Sequence, residues 1–164
     1  MSLTEEIKDF ALNLGYSRVG ITTADGFPGW REEVQSRYDQ YSFYLDSEIK
    51  PLDWTEPVKV MPSARSLVVA ILDCSNVAYP ERLLGKVGRI YLARGYIAPR
   101  HMLNGARRQL MRDFLEKKGM EVKVARGIPE RMAAARAGVA CYGRNGFIYC
   151  GEIGSFVLAI TFLV

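Results

Sequence analysis

The residues best suited to chemistry lie in one stretch, where an alanine-rich segment is followed at once by a glycine-punctuated loop. The segment, residues 129–138, carries two arginines, Arg131 and Arg136. Glycines in the loop let the backbone take up positive φ and approach a ligand closely, and the loop side chains offer a planar cation, an amide and a phenol. This combination indicates a site for a large, polar and planar ligand. The binding residues that we predict are Tyr142, Gly143, Arg144, Asn145 and Gly146.

A second candidate is the phenol of Tyr96, which precedes a long helical pattern. A cation near a tyrosine favours its phenolate form, and a tyrosine paired with an arginine can donate a proton to a developing anion. We therefore name Tyr96 and Arg144 as the catalytic candidates. The alternative is that Tyr96 only packs and that Arg144 makes a surface salt bridge.

The cysteines and the histidine give weaker signals. The sequence has three cysteines, Cys74, Cys141 and Cys150. Their odd number and the lack of C-x-x-C spacing argue against a zinc site or a ferredoxin-type cluster. They are predicted to be small buried hydrophobic residues, with a reactive Cys141 thiol beside the loop as the alternative. His101 is the single histidine; on the first turn of a helix it is predicted to be an ordinary surface or half-buried residue, with a metal ligand as the alternative.

The composition of the chain limits the classes of protein to which it can belong. The 164 residues, 49% apolar and 24% charged, predict one globular domain over 1–164. The net charge of +4 is spread along the chain, which argues against nonspecific binding of nucleic acid. The N-terminus has no basic-then-apolar signal pattern, and no apolar run reaches the roughly 20 residues that span a bilayer. We expect a soluble, cytoplasmic protein that is not inserted in a membrane.

Three elements have strong local signals. Ser2 and Glu5 form a capping box at the start of a helix. The run 66–72 is continuously apolar and β-branched, which predicts a strand buried on both faces. Pro129 is expected to open the alanine-rich helix and Gly138 to close it. Further predicted elements are strands at 17–21 and 121–125 and a helix at 99–119.

An aromatic segment lies between the first two strands. Val34, Tyr38, Tyr41 and Leu45 recur at helical spacing, which predicts one helix over about 30–45. Its aromatic side chains either line a ligand pocket or pack across a thin helical layer. The sequence leaves both alternatives open.

The C-terminal segments predict a β-hairpin, with strands at 147–150 and 155–164 joined by a turn at 151–154. Together with the preceding elements this predicts an α+β fold, in which helices pack against a central mixed sheet. The chain ends in an apolar strand, which indicates that it is the N-terminal portion of a longer protein.

Four segments carry a family resemblance through their order and spacing. The most specific runs from Glu130-Arg131 to residues 143–146, with Gly154-Ser155 after it. The other segments are residues 15–21, 61–70 and 91–96. Together they resemble the N-terminal half of the cobalamin-dependent reductases that include epoxyqueuosine reductase and the reductive dehalogenases, over residues 3–164.

The resemblance implies a nitroreductase-like α+β domain that cradles a base-off corrinoid (cobalamin), with the Arg144-Asn145-Gly146 loop close to it. It implies that electrons reach the cobalt from two iron–sulfur (4Fe-4S) clusters on a C-terminal ferredoxin-type domain. It also implies that a tyrosine and a basic residue above the cobalt assist substrate reduction. The matching residues here are Tyr96, or alternatively Tyr91, and Arg144.

Two departures from the family pattern limit what the resemblance implies. Epoxyqueuosine reductases carry an acidic residue upstream of the Glu-Arg pair, whereas residues 124–128 contain no Asp or Glu. This argues against modification of transfer RNA by that mechanism. The cysteine run of the ferredoxin-type domain is absent from the sequence, so iron–sulfur clusters would lie on a missing domain or on a partner protein.

Three functions follow from these observations. The first is a corrinoid-binding domain of a reductive dehalogenase-like or epoxyqueuosine reductase-like protein, which needs an iron–sulfur electron donor for activity. The second is a corrinoid carrier or sensor without catalysis. The third is a flavin (FMN)-binding, nitroreductase-like protein, a class that often forms homodimers.

Overall fold

The computed structural model of the chain describes residues 1–75, 80–88, 103–124 and 128–164. Short 3-10 turns lie at Pro51–Thr55, Glu81–Leu83 and Gly151–Ile153. The helices and strands of the described residues are α1 (Leu3–Asn13), β1 (Arg18–Thr23), α2 (Pro28–Gln35), α3 (Tyr38–Leu45), α4 (Pro57–Val60), β2 (Ser66–Asp73), α5 (Leu103–Lys117), β3 (Lys123–Val124), α6 (Glu130–Arg136), β4 (Cys141–Tyr142), β5 (Ile148–Tyr149) and β6 (Val157–Leu163).

A four-stranded sheet in the order β1-β2-β6-β3 forms the centre of the molecule. The run 66–72 forms its inner strand β2, whose residues from Leu67 to Ile71 are fully buried, as predicted. The α+β class with helices packed against a central sheet is confirmed. The sequence predicted a mixed sheet, and each pairing among the described strands is antiparallel.

Helices cover both faces of this sheet. On one face, Ile7 and Ala11 of α1 and Met111 and Leu115 of α5 join a core that includes Phe162. The opposite face is covered by α6 and by the segments around α4 and the β4–β5 pair. Among the described residues, no helix is both long and apolar enough to cross a bilayer.

The predicted capping box is present at the start of α1. The backbone N–H of Ser2 donates to the Glu5 carboxylate at 2.6 Å, and the backbone N–H of Glu5 donates to the Ser2 hydroxyl at 3.3 Å. These bonds satisfy two N–H groups that have no partner within the helix. The predicted start of this helix is therefore confirmed.

The predicted single helix over 30–45 is wrong. The structure has two eight-residue helices, α2 and α3, separated at Arg37, whose φ of −106° and ψ of 20° leave the helical region. Tyr41 departs from helical geometry as well, with φ of −126°. The apolar spacing predicted a buried face, but Tyr38 and Tyr41 are each 45% exposed, so no core packing holds the two helices in one line.

The predicted pairing of the C-terminal hairpin is also wrong. Strand β5 pairs with β4, through the partners Cys141 with Tyr149 and Tyr142 with Ile148. Strand β6 instead enters the main sheet between β2 and β3. Its run of apolar residues is buried on both faces of the sheet, a position that a two-stranded hairpin does not provide.

Candidate functional site

The alanine-rich helix α6 is packed tightly against the sheet. It follows Pro129, as predicted, and the chain turns away at Gly138, which has a φ of +71°. Ala133 and Ala134 are fully buried. A Cβ added to Gly20 of β1 would lie 2.5 Å from the carbonyl oxygen of Ala137. Small residues on both sides therefore allow the backbones of α6 and β1 to approach each other.

Both arginines of α6 hold loops in place. Arg136 donates to the carbonyl oxygens of Thr23, Asp25 and Gly26 at 2.8–3.0 Å, and its guanidinium lies 3.9 Å from the centre of the Phe27 ring. The guanidinium of Arg136 is thus committed to the segment that follows β1.

Arg131, in the first turn of α6, contacts a different loop. It donates to the carbonyl oxygen of Gly146 at 2.7 Å, and its guanidinium lies 5.5 Å from the centre of the Phe147 ring. Arg131 therefore fixes α6 to the predicted binding loop, which forms the turn between β4 and β5.

The side chain of Asn145 closes this turn from within. Its amide nitrogen donates to the Tyr149 hydroxyl at 2.9 Å, and its amide oxygen accepts from the backbone N–H of Phe147 at 3.2 Å. The backbone N–H of Gly143 donates to the Phe147 carbonyl at 2.7 Å, and a Cβ on Gly143 would lie 2.6 Å from the Tyr149 ring. The turn therefore requires Asn145 and Gly143 for its own geometry.

Arg144 at the tip of the hairpin has a different status. Its side chain is exposed and makes no hydrogen bond or ion pair with any residue that the structure describes, so the predicted alternative of a surface salt bridge is not seen there. Exposed aromatic side chains share the hairpin: Tyr142 is 48% exposed, Phe147 52% and Tyr149 42%. The hairpin thus exposes a guanidinium and aromatic rings on a turn that hydrogen bonds hold in place.

Of the predicted site residues, the structure brings together Tyr142, Gly143, Arg144, Asn145 and Gly146. Tyr96, the predicted catalytic partner of Arg144, lies outside the described residues, as do Tyr91 and His101. The pairing of Tyr96 with Arg144 therefore stays a prediction.

The three cysteines are free thiols. Cys74 and Cys150 are buried, as predicted, and burial raises the pKa of each thiol. Cys141 is exposed on β4, which contradicts the prediction that it is a buried hydrophobic residue. Over the described part of the chain, His, Cys, Asp and Glu side chains form no group that could hold a metal ion.

A partly buried carboxyl group on α6 was not predicted as a site residue. Burial raises the pKa of Glu130 to about 7, although the Thr161 backbone N–H and the charge of Arg108 act in the opposite direction. Burial likewise raises the pKa of Tyr16 to about 12, against the charge of Arg108. The sequence showed Glu130 only as part of a family motif, and its burial depends on contacts with β6 that no local pattern reveals.

Three buried polar atoms near these groups have no hydrogen-bond partner within the described ranges. They are the Tyr16 hydroxyl, the Arg108 Nε and the Thr161 hydroxyl. Unpaired buried polar atoms are uncommon and destabilising. Two of these atoms belong to α5 and β6, and the third belongs to the segment between α1 and β1.

The sequence is similar to known proteins along nearly its whole length. No protein-family model matches the sequence. The epoxyqueuosine reductase of Staphylococcus aureus is 27% identical over 176 residues, which cover 99% of this chain and 44% of that protein. The epoxyqueuosine reductase of Bacillus subtilis is 26% identical over 169 residues, covering 94% and 42%. The chain thus spans less than half the length of these curated relatives.

Solved structures give the same result. An epoxyqueuosine reductase structure from Bacillus subtilis, described with its aspartate-bearing catalytic loop swung out of the active site, superimposes with a TM-score of 0.72 at 25% identity. The superposition covers 98% of this chain and 44% of the Bacillus subtilis chain. The Streptococcus thermophilus enzyme, with a TM-score of 0.76 and 19% identity over 99% of this chain and 46% of that one, supports the fold alone. The homologues of this chain are epoxyqueuosine reductases, and it resembles them along nearly its whole length.

Proposed function

We propose that the chain is a corrinoid (cobalamin)-binding domain of an epoxyqueuosine reductase-like oxidoreductase, and that the β4–β5 hairpin forms part of its corrinoid pocket. Arg144 is the observation that carries this proposal. Its exposed guanidinium has no partner in the described part of the chain, while Asn145 and the N–H groups of Gly143 and Gly146 are committed to the turn. Similarity to epoxyqueuosine reductases over 99% of the chain supports it further.

The chemistry of the hairpin fits a corrinoid. A corrinoid presents a broad, flat ring whose edge carries carboxamide oxygens. Flat rings pack on exposed aromatic side chains such as Tyr142 and Phe147, and the carboxamide oxygens can accept hydrogen bonds from Arg144. When bound, a corrinoid supplies cobalt-centred redox chemistry. Because the described residues offer no cluster of metal ligands, we expect contacts to the ring and its edge to hold the cofactor.

The site residues take two different roles in this proposal. Tyr142 and Arg144 contact the corrinoid, whereas Asn145, Gly143 and Gly146 fix the turn that presents them. Fixing the turn in advance lowers the loss of loop entropy on binding. The proposal thereby refines the sequence prediction, in which all five residues contacted the ligand.

For the reaction, Tyr96 remains the candidate proton donor and Arg144 the candidate group that stabilises a developing anion. The electrons would come from an iron–sulfur domain or partner protein, since the sequence has three separated cysteines and no C-x-x-C spacing. Residues 124–128 contain no Asp or Glu. We therefore do not extend to this chain a role for the aspartate of the catalytic loop in the Bacillus subtilis relative.

Titration with hydroxocobalamin tests the proposal. The visible spectrum of the cofactor should shift from the base-on to the base-off form when the protein is added. Arg144→Ala should weaken binding by about 10-fold or more, because a charge-assisted hydrogen bond contributes roughly 1.5–3 kcal/mol. Arg82→Ala, which removes another exposed arginine outside the hairpin, is the matched control and should bind as the wild type does.

Other outcomes would contradict the proposal. Equal binding by Arg144→Ala and the wild type would remove the hairpin from the pocket. No spectral shift, together with purification of a yellow protein that releases FMN, would favour the flavin-binding alternative. If cobalamin binds but a cluster-containing donor and a reductant give no turnover of any halogenated or epoxide substrate, the chain is a corrinoid carrier or sensor.

A further inference from the structure

The core-facing side of α5 changes from apolar to polar along the helix. Met111 and Leu115, in its C-terminal half, are fully buried. Residues three and four apart lie on the same side of a helix, so the preceding positions on this side are Arg108, Arg107 and Asn104. Asn104 is only 8% exposed. The N-terminal half of α5 therefore turns polar and cationic groups toward the core, where such groups are uncommon unless they have partners.

One of these groups, Arg107, is bonded to the end of α1. Its Nε donates to the Leu14 carbonyl oxygen at 2.6 Å, and its Nη1 donates to the Asn104 amide oxygen at 3.3 Å. A Cβ added to Gly15 would lie 2.6 Å from the Arg107 Nη2. These contacts hold a guanidinium beside the segment that leads into Tyr16.

The next residue, Arg108, has no such partner, and neither does the hydroxyl of Tyr16. Tyr16 is 3% exposed, and its hydroxyl and the Arg108 Nε are buried atoms that make no hydrogen bond with any residue that the structure describes. Burial raises the pKa of Tyr16 to about 12, while the charges of Arg108 and then Arg107 act against it. Both guanidinium groups therefore lie near this hydroxyl.

We propose that Arg108 and Tyr16 form a binding site for a phosphate group, beside the guanidinium of Arg107. A phosphate group offers three strong acceptor oxygens. Two N–H groups of one guanidinium can bind two of these oxygens side by side, and the Tyr16 hydroxyl can donate to the third. A carboxylate has only two oxygens, so the three donors match a phosphate better.

The charge of the surrounding residues agrees with an anionic ligand. Arg107 and Arg108 bring two positive charges to the site. Glu130 lies near Arg108, but it accepts a hydrogen bond from the Thr161 backbone N–H, and burial raises its pKa to about 7. Near neutral pH the Glu130 carboxyl is therefore only partly charged, and the described part of the site keeps a net positive charge. A phosphate group, with a charge of about −1.5 to −2 at neutral pH, can balance it.

The site can be reached from solvent at one residue. Arg108 is half-buried, whereas Tyr16 is buried, so the guanidinium lies at the open end and the phenol at the closed end. Inorganic phosphate and small phosphate monoesters share the chemistry that the site recognises. The site uses no residue of the β4–β5 hairpin, and the inference does not depend on the corrinoid proposal.

Isothermal titration calorimetry with inorganic phosphate, at about pH 7.5 and low salt, tests this inference. The wild type should bind phosphate with a dissociation constant of about 1 mM or lower. Arg108→Gln should raise that constant at least about 10-fold, because the charge-assisted hydrogen bonds are lost. Arg112→Gln is the matched control. It removes the same charge one turn along α5, from an exposed ion pair with Glu116, and should bind phosphate as the wild type does.

Tyr16→Phe separates a role in binding from a role in folding, because it removes the hydroxyl and keeps the ring. It should weaken phosphate binding about 5-fold or more. Since the hydroxyl has no described partner, the free energy of unfolding without phosphate should stay equal or rise. Lower stability with unchanged phosphate binding would assign the hydroxyl a structural role and overturn the inference. Tyr16→Phe also decides the matter if circular dichroism shows that Arg108→Gln does not fold.

Three further results would count against the site. A wild type that binds no phosphate up to about 20 mM would overturn the inference and leave these buried polar groups to ordered water. Equal weakening by Arg108→Gln and Arg112→Gln would overturn it as well, because binding would then follow the net charge of the helix. Acetate that binds as tightly as phosphate would replace the phosphate with a carboxylate.

The source of the phosphate is distinguished by a parallel titration with glycerol phosphate. Tighter binding than that of inorganic phosphate would assign the site to a phosphate monoester. Weaker binding would assign it to inorganic phosphate itself. Both results keep the site at Arg108 and Tyr16, provided that the two variants weaken the binding of the preferred ligand.

Discussion

The partly buried carboxyl of Glu130 leads to a quantitative prediction about stability and pH. Burial raises its pKa in the folded chain to about 7, compared with an ordinary value of 4.5. Between these two pH values the folded state holds a proton that the unfolded state has lost. The contribution of this group is therefore complete below the unfolded pKa and is lost as the pH rises through about 7.

The size of this effect follows from the two pKa values. A difference between 4.5 and about 7 corresponds to a loss of about 3 kcal/mol in the free energy of unfolding. The Thr161 backbone N–H and the charge of Arg108 already reduce the penalty, since both lower the pKa of Glu130. Glu130→Gln places a neutral group there at every pH, so its free energy of unfolding should not fall in this way as the pH rises.

Urea unfolding of the wild type and Glu130→Gln, measured from about pH 4.5 to about pH 8, provides the assay. The variant should match the wild type at the acidic end and exceed it by about 3 kcal/mol at the basic end. Glu48→Gln, at an exposed position, removes the same charge and should follow the wild-type curve. A difference between the wild type and Glu130→Gln that stays constant over this range would refute the reasoning.

Two further predictions concern the packing of α6. Gly20→Ala should destabilise the fold by about 1–3 kcal/mol, because the new Cβ would lie 2.5 Å from the Ala137 carbonyl oxygen. Gly29→Ala is the control, since no atom lies within 4 Å of its new Cβ. It should be neutral or slightly stabilising in the same urea assay. Arg136→Met should cost about 1–3 kcal/mol through three lost hydrogen bonds to carbonyls, whereas Arg37→Met should change the unfolding free energy by less than about 1 kcal/mol. Equal losses at Arg136 and Arg37 would show that the bonds of Arg136 to the 23–26 segment contribute little.

The elements that could be predicted from the sequence have signals within a few neighbouring residues. The capping box needs only Ser2 and Glu5, and α6 needs only Pro129 and Gly138 at its ends. The strand β2 is a continuous apolar run, and such a run indicates burial on both faces wherever it lies in the sheet. These features are local, so one sequence is enough to predict them.

Strand pairing could not be predicted in the same way. The glycine-rich turns at 143–146 and 151–154 can each connect two strands. The alternation of side chains along a strand does not determine which other strand it pairs with. The structure uses the first turn for the hairpin. In the second, the Cys150 N–H donates to the Gly154 carbonyl at 2.9 Å, and the chain then enters the main sheet. The decisive factor is the burial available to β6 between β2 and β3, which is a property of the whole fold.

The roles of the three arginines around the site show the same limit. Arg131, Arg136 and Arg144 are of one residue type, and nothing in their spacing distinguishes a structural contact from a binding one. Their roles depend on the acceptors that the fold brings within reach: Arg131 and Arg136 meet backbone carbonyls, and Arg144 meets none among the described residues.

This division of roles also bears on how the hairpin could bind. Moving the tip of the hairpin away from α6 would break the bond between Arg131 and the Gly146 carbonyl, and opening the turn would break both bonds of Asn145. A binding group held by such supports loses less freedom when its ligand arrives. The residues that do not touch the ligand in this proposal therefore contribute to its affinity, because they fix the position of the one arginine that does.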